Sequence, residues 1–345
     1  MIKLSFSTLM RIAALMAACA LVGCGGASST VNPLTPTRVI AFGDAFSTVD
    51  SSGYATYSVN TSETNATVAS RIASIYGFTL KAVASSSAVI ASGTAYSYAA
   101  GTATSSATAT QISNYLANNT PGTKDLFIIT AGTQDIVSAA PTNNTTAIAT
   151  AATALTSAIQ SLTNAGAQYV VVMQPINVAR TPPFLAALNG IRPAGTNASY
   201  NSYAQALSYD SGTACQSFSC LLSTKLNSAY PATSSHQPIL LVDLLSYFNL
   251  ITGTTNTGSA NTFSSYAVTN PDLVVCTSAS WSGYPTTTPS CTTSTLATTS
   301  TNQYTGTAWD YSTSIFAYDY FTTPYANRLM ADYIYNYNFY RAGWR

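Results

Sequence analysis

Charge is what this sequence has least of. Lys, Arg, Asp and Glu make up 7% of its 345 residues, against roughly 25% in an average soluble protein. Twelve basic residues face eleven acidic ones. That leaves no cationic surplus to neutralise a phosphate backbone and argues against a nucleic-acid partner. Histidine occurs once, at His236, and no Cys-x-x-Cys spacing is present, so a structural zinc has no ligand set. Paired carboxylates and a phosphate-binding loop are also missing, and no metal or cofactor is expected. What remains is 47% hydrophobic residues at near-zero net charge, a composition that argues against disorder. The polar surface has to come from Ser, Thr, Asn, Gln and 23 Tyr. The length suffices for one large domain or two small ones, with a sizeable core.

The amino terminus departs from this pattern. Lys3 and Arg11 precede IAALMAACALV (12–22), an apolar run too short to span a bilayer but suited to a signal-peptide core. It ends in LVGC (21–24), which resembles the bacterial lipobox. That resemblance implies cleavage before Cys24 and a lipid on its sulfur; the alternative is an ordinary signal peptide with a chance cysteine. On the first reading, residues 1–23 are a lipoprotein signal peptide and 24–36 a flexible tether. Residues 37–345 are then a single domain with a Thr/Ser-rich insertion at about 250–315. Such a chain is exported and lipid-anchored in the cell envelope, with the outer membrane as the natural destination. The membrane is then a partner, and a lipid or glycan is a candidate ligand. With Cys19 removed and Cys24 modified, Cys215, Cys220, Cys276 and Cys291 remain. An even count in an exported chain argues for disulfides, and of the three connectivities the local one is expected, Cys215 with Cys220 and Cys276 with Cys291.

After the tether, strand and helix patterns alternate. Strand candidates are TRVIAFGD (37–44), FTLKAVA (78–84), DLFIITAG (125–132), QYVVVMQP (168–175) and PILLVDLL (238–245). Between them, ETNATVASRIASIYG (63–77), ATQISNYLANN (109–119) and NASYNSYAQALSYD (197–210) read as helices. So does the stretch where Ile148, Ala152, Leu155, Ile159 and Leu162 recur at helical spacing. There Asn143 or Asn144 is placed to cap the start and Gly166 to close the end. PYANRLMADYIYNYNFY (324–340) reads as a terminal helix. The pattern predicts an α/β fold, a three-layer α/β/α sandwich around a central parallel five-stranded sheet. Sites in such sheets lie at the carboxyl ends of the strands.

Several blocks then fall in order: FGDAFS (42–47), SYAAGTA (97–103), GTQD (132–135), PINVARTPPF (175–184), VDLLSYFN (242–249) and FAYDYFTTP (316–324). Together they resemble the SGNH, or GDSL, hydrolase family of esterases, lipases and phospholipase-like enzymes, whose fold is flavodoxin-like. The resemblance implies a serine nucleophile with a histidine and an aspartate. It also implies an oxyanion site made by the serine amide, a glycine amide and an asparagine side chain. Matched position by position, no catalytic residue is intact. The serine position is Ala45, the asparagine position Gln134 and the triad positions Tyr318 and Phe321. Gly101 keeps the first glycine of its block, while Thr102 replaces the second. Sliding the last block by one residue substitutes Asp319 and Thr322, which supply no imidazole either.

His236 is the sole imidazole, and at about 3.3 Å per residue it lies roughly 23 Å before the carboxyl end of its strand. It reads as a surface or turn residue. Ser47 is the one substitute nucleophile to hand, but its place two residues beyond Ala45 suits a turn-capping role better. Asp44 and Asp135 read as acceptors of backbone N–H groups. Two functions follow from this pattern. One is an SGNH-like envelope lipoprotein that has lost ester hydrolysis and keeps a binding or structural role. The other is an active carboxylic-ester hydrolase with rewired residues.

Overall fold

Val39–Gly43 (β1) is apolar along its length and buried on both faces, as a strand inside a parallel sheet must be. The chain is seen here in a computed structural model that describes residues 33–188, 199–210, 214–231, 237–253, 262–276, 291–294, 296 and 310–345. The expected signal segment, Cys24 and His236 lie outside the described residues, as does much of the 250–315 stretch.

The main sheet has six strands where the sequence pattern predicts five. Leu80–Ala82 (β2), Ala95–Ser97 (β3), Leu126–Thr130 (β4), Tyr169–Met173 (β5) and Ile239–Val242 (β6) join β1 in the order β2-β3-β1-β4-β5-β6, all parallel. The additional strand is β3. Its three residues are too few to show a periodicity, and it is fixed by pairing Ala95 with Val39 on one side and Leu80 on the other.

The helices are Val68–Ile75 (α1), Ser105–Asn118 (α2), Thr133–Ala139 (α3), Thr145–Asn164 (α4), Pro182–Leu188 (α5), Ser199–Ser208 (α6), Phe218–Ala229 (α7), Leu244–Ile251 (α8) and Pro324–Tyr333 (α9). Alternation along the strands divides them into two layers. Ile40, Phe42, Phe127, Ile129, Val170 and Val172 face the apolar sides of α2, α4 and α7. Val39, Ala41, Leu126, Ile128, Val171 and Met173 face α1, α8 and α9. The result is a three-layer α/β/α sandwich.

Local chemistry sets the helix ends. Thr67 and Ser70 form a reciprocal capping box at α1. Asn144 accepts the Ala147 N–H at α4, and Gly166, at φ +114°, ends it. Asp243 accepts the Ser246 N–H and starts α8. The strand predicted over 238–245 therefore stops at Val242, and its last residues belong to a helix. Thr323 caps α9 with Pro324 in its first turn, and the chain continues as π-type turns through Ile334–Phe339.

Many hydroxyls in this charge-poor sequence are used locally. Along α4, Thr150, Thr153, Thr156 and Ser161 each donate to the carbonyl four residues back. Ion pairs are few: among the described residues they are Arg38–Asp125 and Arg71–Asp332.

Both disulfides pair locally as the sequence suggests, Cys215 with Cys220 and Cys276 with Cys291. The described part of the 250–315 stretch includes Asn270–Val274 (β7), which pairs in parallel with Ser314–Phe316 (β8) as a separate two-stranded sheet. Leu34, within the stretch assigned to the tether, is already buried, and its N–H donates to the Trp344 carbonyl at 3.1 Å. The Trp344 ring also meets that of Tyr169, the first residue of β5, at 5.3 Å. No helix among the described residues is long and apolar enough to cross a bilayer.

Candidate functional site

The exit from β1 is a sharp, tightly held turn. Gly43 sits at φ +120°, and a Cβ there would lie 1.6 Å from the Thr130 carbonyl oxygen, so only glycine fits. The Gln111 amide brackets it, accepting the Gly43 N–H at 2.6 Å and donating to the Gly43 carbonyl at 3.1 Å. Next, the Asp44 N–H donates to the Thr130 carbonyl at 3.0 Å. Asp44 Oδ1 accepts the Phe46 N–H at 3.3 Å, and Thr48 Oγ1 donates to the Asp44 carbonyl at 2.8 Å. The half-buried residue presented at the tip of this turn is Ala45.

Ala45, Gly101, Gln134 and Phe321 come from four distant segments, and all line one pocket at the carboxyl ends of β1 and β4. Asp44 and Tyr320 share the lining. The pocket has room for about one water-sized body. Aromatic rings fill the rest. Phe321 lies 5.0 Å from Tyr57 and 4.5 Å from Tyr320, ring centre to ring centre. Tyr57 presses on Gly101 so closely that a Cβ there would fall 2.1 Å from its ring.

Tyr318, the remaining position, is not part of this lining. Its ring packs partly inside the core, and burial pushes its hydroxyl up to about 12. Asp319 is not in the lining either, and Thr322 turns away to donate to Asn327 Oδ1 at 2.6 Å. Tyr57 and Tyr320 are the two rings that motif reading missed. Tyr320 lies inside a block already singled out, whereas nothing in the spacing marks Tyr57.

Ser47 is fully buried, and its hydroxyl shares a 3.0 Å hydrogen bond with that of Thr130 instead of facing the pocket. It serves the turn. Gln134 sits in the first turn of α3, where its Nε2 donates to Ser138 Oγ at 3.4 Å and its Oε1 is buried without a hydrogen-bond partner. Gly132 precedes it at φ +106°, packed against Phe218. Asp135 accepts both the N–H and the hydroxyl of Ser105 at 2.8 Å, which ties α3 to the start of α2.

Comparison with known proteins gives little beyond this geometry. No family model matches the sequence, and no curated protein does. Among solved structures, the chain is similar to the crystal structure of a member of the lipolytic protein G-D-S-L family from Veillonella parvula DSM 2008. The identity is 10% over 87% of this chain and 97% of that one, with a TM-score of 0.40.

Two carboxyl groups at the site are raised above their ordinary range. Burial lifts Asp44 to about 7, against the opposing hydrogen bonds of Thr130 and the Phe46 amide. Burial also raises Asp135, with Ser105 opposing. An aspartate raised on folding binds its proton more tightly in the native state, so stability falls as pH climbs from about 4 to about 7. Asp44→Asn removes that dependence. In urea unfolding, the variant is expected to match wild type near pH 4 and to exceed it by on the order of 2–4 kcal/mol at pH 8. Equal midpoints at pH 8 would show that Asp44 carries no such burden.

Asp210 lies close to Cys215 and Cys220. The two sulfurs are joined in a disulfide, and the carboxylate accepts the N–H and hydroxyl of Ser217 at the start of α7. This group caps a helix.

Proposed function

We propose that the protein is an exported envelope lipoprotein, anchored through Cys24, with an SGNH-like fold that no longer hydrolyses esters and keeps a binding or structural role. The observation that carries the reading is the pocket itself. The strand exit that would mount a nucleophile offers the methyl group of Ala45. Phe321 and Tyr320 line the space before it, and Tyr57 packs against Phe321. Removing a whole triad elsewhere leaves roughly 10³–10⁴-fold catalysis from the oxyanion donors and binding. Here Gln134 holds its amide one methylene further out than the asparagine it replaces, and no acyl group has room to enter, so that remainder is lost as well. The LVGC stretch supports the anchor, and the two disulfides are compatible with an exported chain.

Purified protein is therefore expected to hydrolyse nitrophenyl acetate and butyrate no faster than buffer, with Ser47→Ala indistinguishable from wild type. Turnover that disappears in Ser47→Ala would establish the competing reading, a rewired ester hydrolase.

A further inference from the structure

A second concavity opens where the loop before α1, the turn before β8 and the first turns of α9 meet. Its cavity volume is about 300 Å³, at the lower edge of the usual range of small-molecule sites. Glu63 and Asn65 come from the loop, Arg71 from α1 itself, Tyr311 from the turn, and Tyr325 and Arg328 from α9.

The composition of this rim differs from the rest of the molecule. In a sequence that is 7% charged, its only glutamate and two of its arginines ring one cleft. They are not spent on each other. Arg71 Nε donates away to Asp332 Oδ1 at 3.3 Å. Arg328 lies 5.0 Å over the Tyr325 ring and has no carboxylate partner among the described residues. Glu63 and Asn65 make no side-chain hydrogen bond among the described residues.

The walls are held in place. Ser62, at φ +59°, donates its N–H to Asn60 Oδ1 at 2.9 Å. The Asn60 N–H in turn donates at 2.7 Å to the carbonyl of Cys291, one half of a disulfide. On the opposite wall, the Tyr325 hydroxyl donates to the Tyr266 carbonyl at 2.6 Å. Fixed walls with unengaged polar groups lower the ordering cost of binding.

The ligand chemistry follows from these groups. Tyrosine rings offer packing to the C–H face of a sugar ring, and Glu63 and Asn65 offer acceptors and donors to its hydroxyls. A guanidinium without an acid partner suits a carboxylate, which it can grip through two N–H groups. An acyl chain would strip water from Glu63 and Arg71 without replacing their hydrogen bonds. A phosphate dianion would set a second negative charge against the Glu63 carboxylate on the same rim, where a single carboxylate sets one. We propose that this cleft binds a saccharide bearing a carboxylate, of the uronic-acid type. This gives a ligand class to the binding role proposed above but uses a separate cleft, so the hydrolysis assay and the binding assay fail independently.

Calorimetric titration of the purified protein with trigalacturonate, a hyaluronate tetrasaccharide and neutral maltotriose tests this. At least one uronate probe is expected to bind, with maltotriose weaker by about tenfold or more. Arg328→Gln, at an exposed position, is expected to remove that preference while leaving the thermal midpoint unchanged. Tyr311→Ala is expected to weaken every probe that binds by about tenfold. Absence of binding to both uronate probes would overturn the proposal. So would equal affinity for maltotriose, or a preference that survives Arg328→Gln.

Discussion

Gly43→Ala is expected to cost at least about 4 kcal/mol, enough to leave most of the chain unfolded. Two penalties combine. Positive φ strains any residue with a Cβ, by roughly 1–2 kcal/mol. The larger penalty is steric, because the added carbon would lie 1.6 Å from the Thr130 carbonyl oxygen. That carbonyl cannot swing aside, since it also accepts the Asp44 N–H and belongs to β4, the direct neighbour of β1 in the sheet. Relief requires separating two central strands. Gly77 supplies the control. It sits at φ +80°, yet a Cβ there meets nothing within 4 Å, so Gly77→Ala is expected to lose only about 1 kcal/mol. Urea unfolding followed by far-ultraviolet circular dichroism distinguishes the two. Similar midpoints for the variants would mean that the turn is far more compliant than its geometry implies.

The next largest effect is expected at Asp125, which is fully buried one residue before β4. Its Oδ1 accepts the Thr37 hydroxyl at 2.7 Å, and its Oδ2 accepts Arg38 Nε at 3.0 Å, the other arm of that guanidinium and the Gly122 N–H. Arg38 reaches further, donating to the carbonyls of Ile90 and Thr120 at 2.9 and 2.7 Å. One ion pair thus gathers three chain segments, at residues 37–38, 90 and 120–125. Asp125→Ala leaves a largely buried guanidinium without its counter-charge and is expected to cost about 3–5 kcal/mol. Replacing both partners with apolar residues of similar size, Arg38→Met with Asp125→Leu, is expected to recover much of that loss. A double variant as unstable as Asp125→Ala would show that the hydrogen bonds to Ile90, Thr120 and Gly122 matter more than the charge.

Much of this architecture can be read from the residues, and the failures have physical causes. Long apolar runs announce β1, β4 and β5 because a strand buried on both faces needs them. The helical stripe from Ile148 to Leu162 announces α4 in the same way. β3 is legible only from its neighbours, since a three-residue strand is defined by pairing and not by pattern. The end of β6 was misplaced because ILLV and LLSYF are equally apolar. The informative residue there was Asp243, a helix cap read as part of the strand. At the pocket, the ordered blocks brought together Ala45, Gly101, Gln134 and Phe321 across most of the chain. Tyr57 was invisible because its role depends on the missing side chain of Gly101, a packing relation that no spacing encodes. The second cleft was hidden for a similar reason: Glu63 reads in sequence as a residue of a first helical turn, and only the fold sets it opposite Arg328.

The contact between Leu34 and Trp344 fixes an orientation. The described chain begins and ends at the same pole of the sheet, where β1 and β5 start. Every strand of the main sheet runs away from that pole. The small pocket at Ala45 lies at the far pole, and so does the Glu63–Arg328 cleft, since α9 starts beside Phe321 and runs back toward Trp344. A chain tethered at its amino terminus would therefore stand with both features turned outward, away from whatever surface holds it. A tag fused after Arg345 would be the part pressed against that surface.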